Sequence, residues 1–266
     1  PPRSTLFPYT TLFRSSDLAP LVLSLAQWGV TDPASLQWLD PPPDAAVASA
    51  RERLSKLGAL DGAGTITPWG EKIATLPLDP EGAAVVLFGA RTGRAEEAAK
   101  LVLLSQERGL GGRGEDLQQR LERWNGDRGK RADVSRRLDH RWAQAADRLV
   151  DDADAKPLNP ALHIAFARPD FIARRRGQLG EQWASVGGRG FMLDPASPLA
   201  RAEWIVIADA TGQAKGARIT AAAELTRADV EQNLAYLVEE RTVARWNANE
   251  KRVEARREKR LGAITL

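Results

Sequence analysis

Proline punctuation constrains this chain more than any other feature. From Leu36 to Asp61 it reads LQWLDPPPDAAVASARERLSKLGALD, with Pro41, Pro42 and Pro43 in a row. Each proline fixes its own φ and disfavours helix at the residue before it, so Asp40 to Pro43 is a rigid connector and not part of any element. A second stop, LPLDP, follows at 76–80. The chain must therefore build from short elements joined at set angles.

Between the stops the pattern is readable. LAPLVLSLAQWG carries Leu18, Leu21, Val22, Leu25 and Trp28 at the spacing of a core-facing helical stripe, and Gly29 is placed to end it. A second helix starts near Asp44, with Val47, Ala50, Leu54 and Leu57 on one face and Gly58 as its stop. ALDGAGTIT predicts a small hairpin around a glycine-rich turn. Thr67-Pro68 is an N-cap followed by a first-turn proline. Helix, helix, small hairpin is the order of a winged-helix module, spanning 18–75.

Residues 76–180 read as a helical module. AAVVLFGA and AEEAAKLVLLSQE form a pair, and GLGGRG breaks the pattern. Two more helices follow, with stripes at Leu117, Leu121 and Trp124, then at Val134, Leu138 and Trp142. After the polar linker DDADAKPLN, LHIAFARPDFIARRRG predicts a helix pair divided at Pro169 and closed by Arg174, Arg175 and Arg176. From 181 the segments FMLDP, WIVIAD, ARITAAAEL, RTVARWN and RVEARREKRLGAITL are strand-like, with one short helix, TRADVEQNLAYL, among them. Five short strands suit a small OB-like β-barrel. The predicted class is α+β and multi-module: winged-helix segment, helical bundle, barrel.

Motifs in this order resemble a known family. Leu39, Asp40, Pro41 and Pro42, then LGALD with Leu57, Gly58 and Leu60, then Thr67 and Gly70, then LPLDP with Leu76, Pro77, Asp79 and Pro80 resemble the helicase-associated region that follows the two RecA-like motor domains of DEAH-box helicases. AAKLVLLSQERG, PDFIARRRG, GGRGFMLDPASPLA and VARWNANEKRVEARREKRLGAITL sharpen the resemblance to the bacterial HrpB type. There AAKLVLLSQERG looks like the second ratchet helix. Two places depart from the family pattern, Ser105-Gln106-Glu107-Arg108 and Phe171. The resemblance implies that the proline motifs are architectural joints. It also implies RecA-like domains upstream in the same polypeptide that hold ATP and Mg, single-stranded RNA or DNA as partner, and a cytoplasmic location. Residues 1–16, PPRSTLFPYTTLFRSS, resemble an adapter read-through and are excluded from the fold. On that reading the chain is a C-terminal fragment, cut at its own end as well.

Chemistry follows from what is present. A nucleotide cradle needs G-x-x-x-x-G-K-[ST] after a strand; the nearest approach, WNGDRGKR at 124–131, has Trp124 for the first glycine and Arg131 for the hydroxyl. No catalytic or metal-ligating grouping is found, with His140 and His163 isolated, expected at the surface and in the core respectively. Cysteine is absent, which fits a reducing compartment. No apolar run approaches the ~18 residues of a membrane span. A net charge of +3 is compatible with a polyanionic partner without requiring one.

Residues 241–260 hold eight Lys/Arg against three Glu. Arg245, Arg257 and Lys259 on one strand face, with Trp246 as a stacking platform, would track a phosphate backbone. A solvated, edge-protecting charged strand explains the same residues. Arg174–Arg176 read either as cations at a helix C-terminus or as phosphate contacts, and the resemblance adds Arg189 at the β-domain entry. Trp28, Trp38, Trp69, Trp124 and Trp142 read as core. Two further functions stand beside the helicase reading. One is a stand-alone DNA-binding regulator using Asp44–Leu57 as recognition helix. The other is a protein-interaction module. Purified alone, the chain is expected to release no phosphate from ATP in a malachite-green assay, with or without RNA; turnover above a no-protein blank would contradict the reading of its motifs.

Overall fold

The computed structural model describes residues 17–151, 158–212, 215–247 and 252–266, with backbone alone at 215, 245–247, 253, 254 and 256. The adapter-like residues 1–16 lie outside this set. Two compact units divide between Leu87 and Phe88.

In the first unit, α1 (Ala19–Gln27) and α2 (Asp44–Lys56) pack together, and α3 (Pro68–Thr75) packs against α1. The buried stripe of α1 is Ala19, Val22, Leu23, Leu25 and Ala26, facing Val47, Ala50 and Leu54 of α2 and Ile73 of α3. Trp28 departs from the expected stripe: α1 ends at Gln27, so Trp28 leaves the helical path and is 78% exposed. Leu39 is also fully exposed. The triple proline acts through backbone: Pro43 is extended and its carbonyl accepts the first amides of α2, from Ala46 and Val47.

The LGALD stretch is a terminator. Gly58 takes φ +73°, and the Gly58 and Ala59 amides fold back onto the Ser55 and Leu54 carbonyls. The expected hairpin shrinks to one bridge, Leu60 to Ile66, because each arm is about three residues long and Pro68 ends the second. Its turn is held by the Asp61 carboxylate, which accepts the Ala63 and Thr65 amides, each at 2.9 Å. Thr67 caps α3 at the Gly70 amide and donates its hydroxyl to the Gly58 carbonyl. Gly70 is forced: a Cβ there would lie 2.1 Å from the Ala59 oxygen. In LPLDP, Leu76 is buried and Asp79 caps α4 (Pro80–Arg91) through the Gly82 amide.

In the second unit, α5 (Ala95–Gln106) packs against α6 (Leu117–Gly126) and α7 (Lys130–Asp147) through Leu101, Leu104, Leu117, Trp124 and Trp142. Val134 was expected in that stripe but is 66% exposed, one turn into α7. A short α8 (Ala161–Ala167) buries His163, whose Nε2 meets the Thr92 hydroxyl at 2.9 Å. Burial lowers its pKa to about 4. His140 is exposed, as expected.

After Pro169 the second helix of the expected pair does not form. Residues Ile172–Arg176 are instead a strand, β1, because their backbone is claimed on both sides, by β2 (Gln182–Ser185) and β4 (Trp204–Thr211). With β3 (Gly190–Met192) and β5 (Lys215–Leu225) they close a barrel in the order β1-β2-β3-β5-β4, antiparallel except for the β3–β5 pair. Ala173, Trp183, Phe191, Ile205, Ile207 and Ile219 fill it. The barrel thus begins nine residues before the expected 181. The two last segments expected in it form a separate sheet of β6 (Val238–Asn247), β7 (Arg252–Leu261) and β8 (Ile264–Thr265). TRADVEQNLAYL is a π-helical turn, Asp229–Asn233, then a 3-10 turn, because the Asp229 carboxylate takes the Thr226 amide and hydroxyl and the Asn159 amide group, closing the segment locally.

Asp139 on α7 is 1% exposed. Burial raises its pKa to about 6, against the opposing pull of the His140 amide and Lys100. A carboxyl raised in the fold favours the folded state when protonated, so its contribution is full below about pH 4 and is lost as the pH climbs through about 6. Asp139→Asn is expected to stabilise the protein by on the order of 1–3 kcal/mol at pH 8, with almost no gain at pH 4. Thermal melts of both proteins across that range check the difference.

Candidate nucleic-acid interface

The expected contacts fall on three parts of the second unit. On β1, successive side chains alternate across the strand, and the three arginines meet different fates. Arg174 donates to the Glu203 carboxylate and the Thr265 carbonyl, each at 3.1 Å, with its guanidinium 5.3 Å from the centre of the Trp204 ring. Arg175 donates to the Ala200 carbonyl at 3.1 Å. Arg176 is exposed at the strand end. Because the segment is a strand, none of them sits at a helix C-terminus, and that expectation is corrected.

Glu203 is shared. Arg227 donates to both its oxygens, at 2.7 and 3.2 Å. Burial pushes the Glu203 carboxyl up, but the hydrogen bonds and charges of Arg227 and Arg174 outweigh it and hold the pKa below the usual carboxylate value. The group lines a cleft of about 510 Å³ between the barrel and the base of the β6–β7 ladder, with Trp204, Val230, Val238 and Lys259 in its walls. Arg174 therefore fastens β8 to the barrel. Gly262 adds a second fastening: a Cβ there would sit 2.5 Å from the Val186 carbonyl, which accepts the Ala263 amide at 2.9 Å.

Arg189 lies on the β2–β3 turn, exposed, its guanidinium 5.3 Å from the Phe191 ring centre. On the ladder, Arg257 stands opposite Thr242 and Lys259 opposite Glu240, with the ammonium 3.5 Å from that carboxylate. Position 245 pairs with 254, so its register is out of phase with 257 and 259. The expectation of Arg245, Arg257 and Lys259 on one face is therefore wrong by one residue of pleat. The side chains of Arg245 and Trp246 lie outside the described residues. Basic and acidic positions also face each other at Glu239–Arg260 and Arg241–Glu258, which offsets much of the local excess of positive charge.

The basic residues of α2, which a duplex-reading helix would offer outward, are engaged. Arg51 donates to the Thr31 carbonyl, Arg53 pairs with Asp17, and Lys56 lies 3.2 Å from Glu52. Among the described residues no group of three or more His, Asp or Glu could hold a metal, and no single helix is long and apolar enough to cross a membrane.

One basic region escaped the sequence reading. The glycine-rich break is a shaped loop against α6, flanked by Arg123 and Arg131. Four glycines in six residues, with Arg108 before them and Arg113 among them, was the available signal.

Comparison with known proteins shows that this chain is similar to part of several ATP-dependent RNA helicases. The chain is homologous, over almost its whole length, to those of the HrpB type. It is 31% identical over 260 residues to the ATP-dependent RNA helicase HrpB of Escherichia coli, a match covering 94% of this chain and 30% of that protein. The crystal structure of the E. coli DExH-box NTPase HrpB superposes with a TM-score of 0.80 at 30% identity, over 94% of this chain and 30% of the other. The pre-mRNA-splicing factor prp22 of Schizosaccharomyces pombe, an ATP-dependent RNA helicase, is 29% identical over 107 residues, 40% of this chain and 9% of that one. No protein-family model matches. The chain thus spans under a third of the length of the relatives it matches.

The side-chain geometry separates fasteners from solvent-facing cations. Arg174→Gln is expected to lower the melting temperature by a few degrees, because it strips a partly buried carboxylate of a partner, at a cost of about 1–3 kcal/mol. Arg176→Gln and Arg189→Gln are expected to leave it within about 0.5 kcal/mol of the parent protein. Differential scanning fluorimetry distinguishes the two outcomes.

Proposed function

We propose that this chain is the nucleic-acid-gripping accessory region of an HrpB-type ATP-dependent RNA helicase. Homology to HrpB over 94% of the chain carries the reading. RecA-like domains of the same polypeptide would hydrolyse NTP with Mg, in the cytoplasm. The present residues would hold single-stranded RNA, or single-stranded DNA, as it is drawn through. Residues 18–75 serve as a winged-helix brace, 76–171 as the ratchet-like helical module, and the barrel that begins at Ile172 as an OB-type grip. The strand order and the parallel β3–β5 pair support the last assignment.

The grip is electrostatic and largely indifferent to base sequence. Arg176, Arg189 and Arg257 are exposed and available to phosphates, whereas Arg174 and Arg175 set the frame behind them. Engagement of the α2 cations with protein partners counts against a duplex-DNA regulator. Residues 18–266 are expected to bind a labelled oligouridylate in fluorescence anisotropy, with log K falling linearly with log salt at a slope of about −0.7 per phosphate neutralised. Replacing Arg176, Arg189 and Arg257 together by Gln should flatten the slope by about two. Absence of binding at low salt, or tighter binding to duplex DNA than to the single strand, would defeat the proposal.

A further inference from the structure

Loop geometry, charge and a hollow converge at the GLGGRG break. Gly109, Gly111, Gly112 and Gly114 take φ of +89°, +70°, +85° and +121°. A turn built on left-handed glycines can set successive backbone amides around a concavity suited to anions. The Leu110 and Gly112 amides are used inside the loop, on the Glu107 and Gly109 carbonyls, each at 3.2 Å. Those of Gly111, Arg113 and Gly114 have no acceptor among the described residues.

The loop is held from both ends. Beneath it the buried Arg120 donates to the Leu110 carbonyl at 3.1 Å, and a Cβ on Gly111 would lie 2.1 Å from the Arg120 carbonyl oxygen. At its far end the Glu115 carbonyl accepts the Ala222 amide of β5 at 2.8 Å. A hollow of about 290 Å³ opens against it, lined by Gly109, Gly111, Gly112, Arg123, Asp127 and Arg131. The Arg123 guanidinium lies alongside Gly112 and donates to the Arg113 carbonyl at 3.0 Å. The one acid in the wall, Asp127, is engaged with the Gly129 amide at 2.8 Å. Arg131 reaches in from the first turn of α7, where it makes an exposed ion pair with Glu107 at 3.2 Å, of the kind worth little in water.

We propose that this hollow binds a phosphate group, with Arg131 and Arg123 as its cationic contacts and the loop amides as its floor. The phosphate belongs either to a polynucleotide strand or to a free polyphosphate; the recognising chemistry is the same. In the first case the hollow extends the strand-gripping reading to a contact outside the barrel and ladder; in the second it stands apart from that reading. Glu107 acts as a built-in competitor for Arg131.

The test uses the full chain with two probes, inorganic pyrophosphate in calorimetry and a labelled oligouridylate in anisotropy across a salt series, with circular dichroism confirming the fold of each variant. Arg131→Gln is expected to weaken the probe that belongs there roughly tenfold, the loss of a charge-assisted contact, and, for RNA, to reduce the salt slope by about 0.7. Glu107→Gln is expected to tighten the same probe a few-fold, which a purely structural Arg131–Glu107 pair would not do. Response of RNA binding alone assigns the phosphate to a strand, and response of pyrophosphate binding alone assigns it to a free polyphosphate. Wild-type RNA binding unmoved by either variant, without a pyrophosphate response, refutes the hollow and leaves the grip intact. Pyrophosphate binding that responds to both variants while RNA is not bound refutes the grip and leaves the hollow. No wild-type binding of either probe refutes both.

Discussion

The second unit depends on one buried cation. Arg120, 3% exposed, donates to the carbonyls of Leu104, Glu107 and Leu110 at 2.7, 2.9 and 3.1 Å. The first two belong to the end of α5, where carbonyls lack helical partners and the helix dipole is negative. Burial lowers the Arg120 pKa, with the neighbouring charge of Arg123 adding to the effect. A guanidinium tolerates that because its fixed fork meets several acceptors at once. One side chain thereby ends α5, shapes the glycine loop and sets α6 against both. Removing it would leave three inward-facing carbonyls with no replacement.

The barrel and ladder show a second division of labour. Arg174 and Arg227 share Glu203, and Arg174 is held from a second side by the Thr265 carbonyl. Exposed cations lie elsewhere, Arg176 at a strand end, Arg189 on a turn and Arg257 along the ladder. Charge near a surface thus counts twice in this molecule, as a joint where it is satisfied from within and as a handle where it is not. Counting Lys and Arg along the chain cannot tell the two apart.

That limit explains what was legible in the sequence. Proline, glycine and cap residues announced α1 to α4 well, because Thr67, Gly58 and Asp79 act within four residues of their own positions. The helical stripes of α5 to α7 were visible for the same local reason. The first two barrel strands were not. IARRR and QWAS are five and four residues long, carry no alternation of their own, and become strands only through partners distant in sequence. The two ladder strands were recognised as strands, but neither their separation from the barrel nor their register was, since a shift of one residue exchanges the faces without altering composition. Arg120 was likewise invisible: an arginine on a predicted helix reads as solvent-facing until the neighbouring loop folds over it.

The two fastenings at Gly262 and Arg174 lie at one end of a ladder ten residues long in each strand. At about 3.3 Å per residue, the far pairing of Asn247 with Arg252 stands roughly 30 Å from its root. A rocking of about 5° at the root would sweep that end through roughly 2–3 Å by simple leverage. The length of the ladder thus makes its far end the part most displaced by any change of angle at the root.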